Sequence, residues 1–172
     1  MENEIAVKDQ NTQVASVLAP QPTLLDIRRD KETYPRLHAM DETEALVKLG
    51  VVVGMAAQYR GQQIDPRTSA QMALSLYQEL MADPDNHGLR YLTIEEITRV
   101  VKRALTGQTQ RELYGVNVAS LLSVLTDYAK TEGAELQKKV EDEHVMFLRQ
   151  GDIRYQQLTA CAKVLAANLT RK

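Results

Sequence analysis

From Asp41 to Tyr128 the chain reads as a series of helix starts, each followed by apolar residues at three- and four-residue spacing, and no window alternates at the two-residue period of a strand. Asp41, with Glu44 three residues on, has the form of a capping box, and Leu46, Leu49, Val53, Ala56 and Ala57 follow before Gly61 offers a left-handed stop. Asp65-Pro66 puts an acid at the N-cap and a proline in the first turn, where its missing N–H is harmless. Met72, Ala73, Leu76, Tyr77, Leu80 and Met81 make that helix's stripe, and Asp83-Pro84 ends it. Thr93 and Glu96 cap a third helix with Ile97, Val100, Val101, Ala104 and Leu105 on its inner face, closed by Gly107. Asn117 caps a fourth, marked by Val118, Leu121, Leu122, Leu125 and Tyr128.

This pattern predicts an all-α fold, a single-domain bundle of about five to six helices over residues 23–172. Residues 1–22 are polar, lack a period and end in Ala19-Pro20-Gln21-Pro22, so a mobile N-terminal arm is expected there. Leu24, Leu25 and Ile27 predict a short helix, Pro35 interrupts the charged stretch after it, and the segment is expected to wrap the body. From Lys130 to His144 polarity rises sharply, with Leu136 and Val140 as the apolar exceptions. A long polar helix toward the C-terminus is expected there, or a helical hairpin if Gly133 breaks it. Leu158, Cys161, Ala162, Leu165 and Leu169 predict a last helix with a buried face.

Composition supports one helical domain. A chain of 172 residues can bury one core, and an aromatic share of 5% with no Trp leaves Leu, Val, Ala and Met to build it. Such side chains lose little freedom in helices, whereas strands favour β-branched and aromatic residues. A net charge of -2 gives no global field toward nucleic acid or an anionic membrane. The longest apolar run, Val51 to Ala57, contains a glycine and falls far short of the roughly 18 residues of a membrane span. One cysteine cannot form an internal disulfide, and the opening Met-Glu-Asn-Glu lacks a signal segment, so a cytoplasmic location is expected.

Candidate chemistry is sparse. His38, His87 and His144 fall in separate segments, and Glu141 with His144 is a single Glu-x-x-His where di-iron bundles need two, so no metal is expected. No glycine-rich loop ends in Lys-Ser or Lys-Thr to cradle a nucleotide phosphate, and no cofactor is implied. Cys161 lies between Leu158 and Leu165 on an apolar stripe and reads as a buried structural thiol. Glu95-Glu96 and Asp142-Glu143 are read as a helix start and a solvated surface, since adjacent residues point in different directions. An enzyme is therefore not expected. Gly50 and Gly54, one turn apart, read first as close internal packing and second as a homodimer face.

The local electrostatic feature is Arg99, Lys102, Arg103 and Arg111, with no acid between positions 99 and 111. Arg99, Lys102 and Arg103 share a helix face, and Tyr114 could stack on a base, which makes these five residues the expected nucleic-acid-binding site. Glu95 and Glu96 one turn earlier, and the helix dipole's preference for a basic last turn, give the competing reading. Thr109-Gln110-Arg111-Glu112-Leu113 before Gly115 echoes a helix-turn-helix opening, but Arg111 stands where a small residue lets the two helices touch.

Leu92-Thr-Ile-Glu-Glu-Ile97 opening a helix, basic residues near its end, Gly107, and Glu112-Leu-Tyr-Gly-Val-Asn117 leading to a helix that closes on Tyr128 are similar to a group of small uncharacterised proteins encoded in phages and mobile elements of bacteria. The resemblance covers roughly residues 70–140. It implies a phage or mobile-element setting and assigns no activity. The expectation is a non-enzymatic accessory protein whose partner is DNA or a replication protein, the alternative being a protein–protein adaptor or homodimeric scaffold without nucleic-acid contact.

Overall fold

The structure, a computed structural model, describes residues 21–85, 87–109, 111 and 113–169, with the side chains of the last helix described as far as Thr159 and again at Cys161. The expected N-terminal arm lies outside the described residues except for Gln21 and Pro22. Among the described residues there are helices and no strand. None of these helices is long and apolar enough to cross a membrane.

Helix α1 (Leu24–Arg29) is short because its capping box, Thr23 with Asp26, starts it firmly while Asp30 leaves helical geometry at once. A turn over 31–34 follows, in which the Tyr34 amide donates to the Asp30 carbonyl at 3.0 Å; Arg36 is extended, its backbone bridges to Thr93, and the Leu37 amide donates to the Leu92 carbonyl at 2.9 Å. A single tight turn, Leu37–Ala39, follows. Leu37 is fully buried, so the segment after Pro35 is stitched into the core and does more than wrap it.

Helices α2 (Glu42–Tyr59) and α3 (Pro66–Ala82) pack against each other and begin where the sequence says, at Asp41 and at Asp65-Pro66. The Asp41 carboxylate accepts from the Glu44 amide, but the Glu44 side chain pairs with Lys48 at 2.8 Å and does not return to the cap. Gly61 takes the left-handed conformation that stops α2. Helix α4 (Ile94–Leu105) lies over α2 and α5 (Val118–Tyr128) over α3 and α4. Leu49, Val53, Leu76, Leu80, Ile97, Val100, Leu121 and Leu125 interlock in one core, all of them predicted apolar-face positions.

After Tyr128 the backbone does not stop. Ala129–Gly133 winds one wider π-turn and runs straight into α6 (Ala134–Leu169), a helix of 36 residues and so about 54 Å long. Gly133 neither breaks the helix nor makes a hairpin. A wider turn absorbs an extra residue without ending the hydrogen-bond ladder, and the first half of α6 is held against α1. Leu136 and Val140 are half-buried there, and the Arg29 guanidinium forms two charge-assisted bonds to Glu143.

Candidate functional site

Past Glu143 the body ends and α6 continues alone. Phe147 is 72% exposed, Tyr155 73% and Leu158 71%, with Met146, Leu148 and Ile153 also open. Cys161 is exposed as well, which corrects the reading of a buried thiol on a buried last-helix face. The physical reason is the unbroken passage through Gly133: without a hairpin, the distal half of the helix never returns to the bundle. Leu148, Gly151, Tyr155 and Leu158 recur at alternating three- and four-residue steps, and the sequence continues that spacing through Ala162, Leu165 and Leu169, whose side chains lie outside those described. Arg149 and Gln156 fall away from that stripe by helical phase, and Asp152 flanks it.

The predicted basic cluster is brought together only in part, and mostly with acids. Arg103 is bound to Glu132 at 2.7 Å, and Arg111 lies 3.8 Å from Asp127 and donates to the Ser123 hydroxyl. Both arginines line one cleft with Asp127, Glu132 and Glu135, so its two cations face three carboxylates. Arg99 is half-buried and near enough to Asp26 to help hold that carboxyl below its ordinary range, behind the larger effect of the Thr23 hydrogen bonds. Lys102 is exposed without an acid partner among the described residues, and Tyr114 is 81% exposed. The acids that neutralise Arg103 and Arg111 come from the π-turn and α5, outside the acid-free stretch 99–111.

What the sequence did not show is a buried polar knot. Glu96 has no exposed surface, so the reading of Glu95-Glu96 as a helix start and solvated surface holds only in its first half. One carboxylate oxygen of Glu96 closes the capping box on the Thr93 amide at 3.0 Å. The other accepts from the Arg28 guanidinium and, at 3.0 Å, from the Tyr128 hydroxyl. Arg28 also donates to the Gly133 carbonyl at 2.6 Å. Burial, then the neighbouring Glu96 carboxylate, holds the Tyr128 phenol far above its ordinary value, so it stays a donor. A charge pair hydrogen-bonded in this way fixes geometry between α1, α4, α5 and the π-turn.

A cleft of about 390 Å³ opens beside the knot, lined among others by Arg28, Arg36, His87, Tyr91, Gln137 and Glu141. Its wall at 87–89 is rigid. Asp83 is buried with a left-handed backbone (φ 36°), and its carboxylate accepts from the amides of His87, Gly88 and Leu89 at 2.8–3.1 Å. Among the described residues no group of His, Cys, Asp and Glu is arranged to hold a metal ion.

No family model, no curated protein and no solved structure matches this chain.

Proposed function

We propose that the protein is a non-enzymatic helical interaction protein that pairs with a second copy of itself through the distal half of α6, in the cytoplasmic, phage or mobile-element setting its sequence suggests. The observation that carries this is the open apolar stripe of Phe147, Leu148, Tyr155 and Leu158 on a helix that has left the bundle. Leaving three large side chains more than 70% exposed forfeits roughly 1.5–3 kcal/mol each relative to burial, and a paired helix recovers it. Two parallel arms would place Phe147 beside Asp152 and Arg154 beside Thr159 across the seam, so no like charges meet. The seam from Leu148 to Leu169 spans about three heptads, the lower end of what a coiled coil needs, so pairing should depend on concentration.

Sedimentation equilibrium tests this. The full chain should self-associate to a dimer, and Leu148→Arg combined with Leu158→Arg should be monomeric with unchanged helix content. A monomeric wild type, or a double variant that still dimerises, overturns the reading.

A second reading, contact with nucleic acid, is favoured by exposed Lys102 and by Tyr114, which lines one hollow with Arg111, whose side chain is 60% exposed. With Arg99 and Arg103 facing acids, binding of labelled DNA should fall with salt at a log–log slope of about -1 to -2, as one or two phosphate contacts give. Absence of binding at low salt removes it.

A further inference from the structure

The cleft between the π-turn, the start of α6 and the 87–91 segment combines three features. The first is a pair of guanidinium groups on one lining. Arg36 is half-buried and has no carboxylate partner among the described residues; it donates to the Gln137 side-chain oxygen at 3.2 Å and lies over the Tyr91 ring, 5.8 Å away. Arg28 spends its Nε on Glu96 and Nη1 on the Gly133 carbonyl, while its Nη2 has no acceptor among the described residues. The second is an aromatic wall: Tyr91, 40% exposed, is flanked by Arg36, by Arg90 at 5.1 Å and edge-on by His38 at 5.0 Å. The third is rigidity at both borders, a π-turn on one side and the strained Asp83 loop on the other, features that concentrate at ligand sites.

The acids near the cleft each have a nearer partner than Arg36, although Glu141 keeps its charge on the lining. Glu96 is taken by Arg28, Tyr128 and Thr93, Glu141 accepts from the Gln137 amide at 2.6 Å, and Asp85 lies 3.4 Å from His87. A volume near 390 Å³ is at the small end of the range for sites that enclose small organic molecules.

We propose that this cleft binds a small organic oxyanion with a flat ring, its carboxylate or phosphate held by the Arg36 and Arg28 guanidinium groups and its ring against Tyr91. A guanidinium fork matches either head group with two parallel N–H···O bonds, and Arg36, which no carboxylate pairs among the described residues, supplies the free fork. Arg36 is the residue on which binding turns, because Arg28 is already balanced by Glu96.

Isothermal titration of the full chain with phenyl phosphate, benzoate and inorganic phosphate at low ionic strength tests the assignment. Saturable one-to-one binding of phenyl phosphate or benzoate is expected, whichever binds more tightly naming the head group, with inorganic phosphate weaker for want of the ring. Arg36→Gln should weaken binding at least tenfold and Tyr91→Leu severalfold, both with wild-type circular dichroism, while Lys102→Gln should leave it unchanged. No saturable binding of either ring-bearing anion by the wild type, or wild-type affinity in a folded Arg36→Gln, overturns the proposal.

Discussion

The guanidinium of Arg28 and the carboxylate of Glu96, 68 residues apart in the chain, form an ion pair in which the glutamate is wholly buried and the arginine only 9% exposed. Their pairing closes α1 onto the N-terminus of α4 and, through Tyr128 and Gly133, sets the point from which α6 departs. The direction of the arm is thus fixed by a polar contact in the core.

Replacing Glu96 with Ala strands the Arg28 charge, leaves the Tyr128 hydroxyl unpaired and opens the capping box. Breaking a buried pair from one side costs about 3–5 kcal/mol, so a urea midpoint should fall steeply, whereas exposed Glu42→Gln should stay within roughly 0.5 kcal/mol of wild type. Equal effects of the two changes would contradict the central place given to the knot.

Glycines separate in the opposite sense. A Cβ on Gly133 would come within 3.0 Å of the Tyr128 carbonyl oxygen and 3.1 Å of Arg28 Nη2, so Gly133→Ala should destabilise by about 1–3 kcal/mol. At Gly50 and Gly54 a Cβ would meet nothing within 4 Å, so each change to Ala should stabilise α2 by roughly 0.5–1 kcal/mol. Thermal denaturation of the three variants reads both signs at once.

Asp83 combines a left-handed backbone with three amide donors on one carboxylate. Asp83→Ala loses the acceptors and keeps the strained φ, and should cost about 2–3 kcal/mol; Asp83→Asn, which tolerates that conformation and keeps one carbonyl acceptor, should cost less. Chemical denaturation that ranks Asn below Ala would contradict this account.

The Tyr128 phenol is held above its ordinary value of 10.0 by burial and by Glu96. The folded state therefore keeps a proton that the unfolded chain gives up. Its contribution to stability is constant below about pH 10 and is lost as pH rises above that value toward the folded pKa. Urea midpoints between neutral pH and pH 11 should show this fall in the wild type and a shallower one in Tyr128→Phe.

Much of the bundle was legible in the sequence because its signals are local. Asp41, Asp65-Pro66, Thr93 with Glu96, and Asn117 each cap the helix they announce, and most of the apolar residues that follow lie in the core or against it, Leu46 excepted. The same locality hid the rest. Glu96 was visible as a cap but not as a core charge, because Arg28 and Tyr128 reach it from 68 and 32 residues away. Arg103 and Arg111 looked unopposed because Glu132 and Asp127 belong to later segments. Gly50 and Gly54 suggested close internal packing, yet the space beside them is open. Gly133 read as a possible break because a π-turn leaves no mark in apolar periodicity. Whether Leu158 and Cys161 face a core or solvent followed entirely from that one residue.

The most direct test of the arm uses the one cysteine in the chain, exposed Cys161. A nitroxide attached there gives one spin per molecule, so any dipolar coupling in a pulsed electron-resonance experiment comes from a second copy. Parallel pairing of α6 predicts a single narrow distance, on the order of the roughly 10 Å between packed helix axes extended by the two label tethers. No coupling at concentrations where the protein is folded, or a long distance from arms that point apart, would contradict the account.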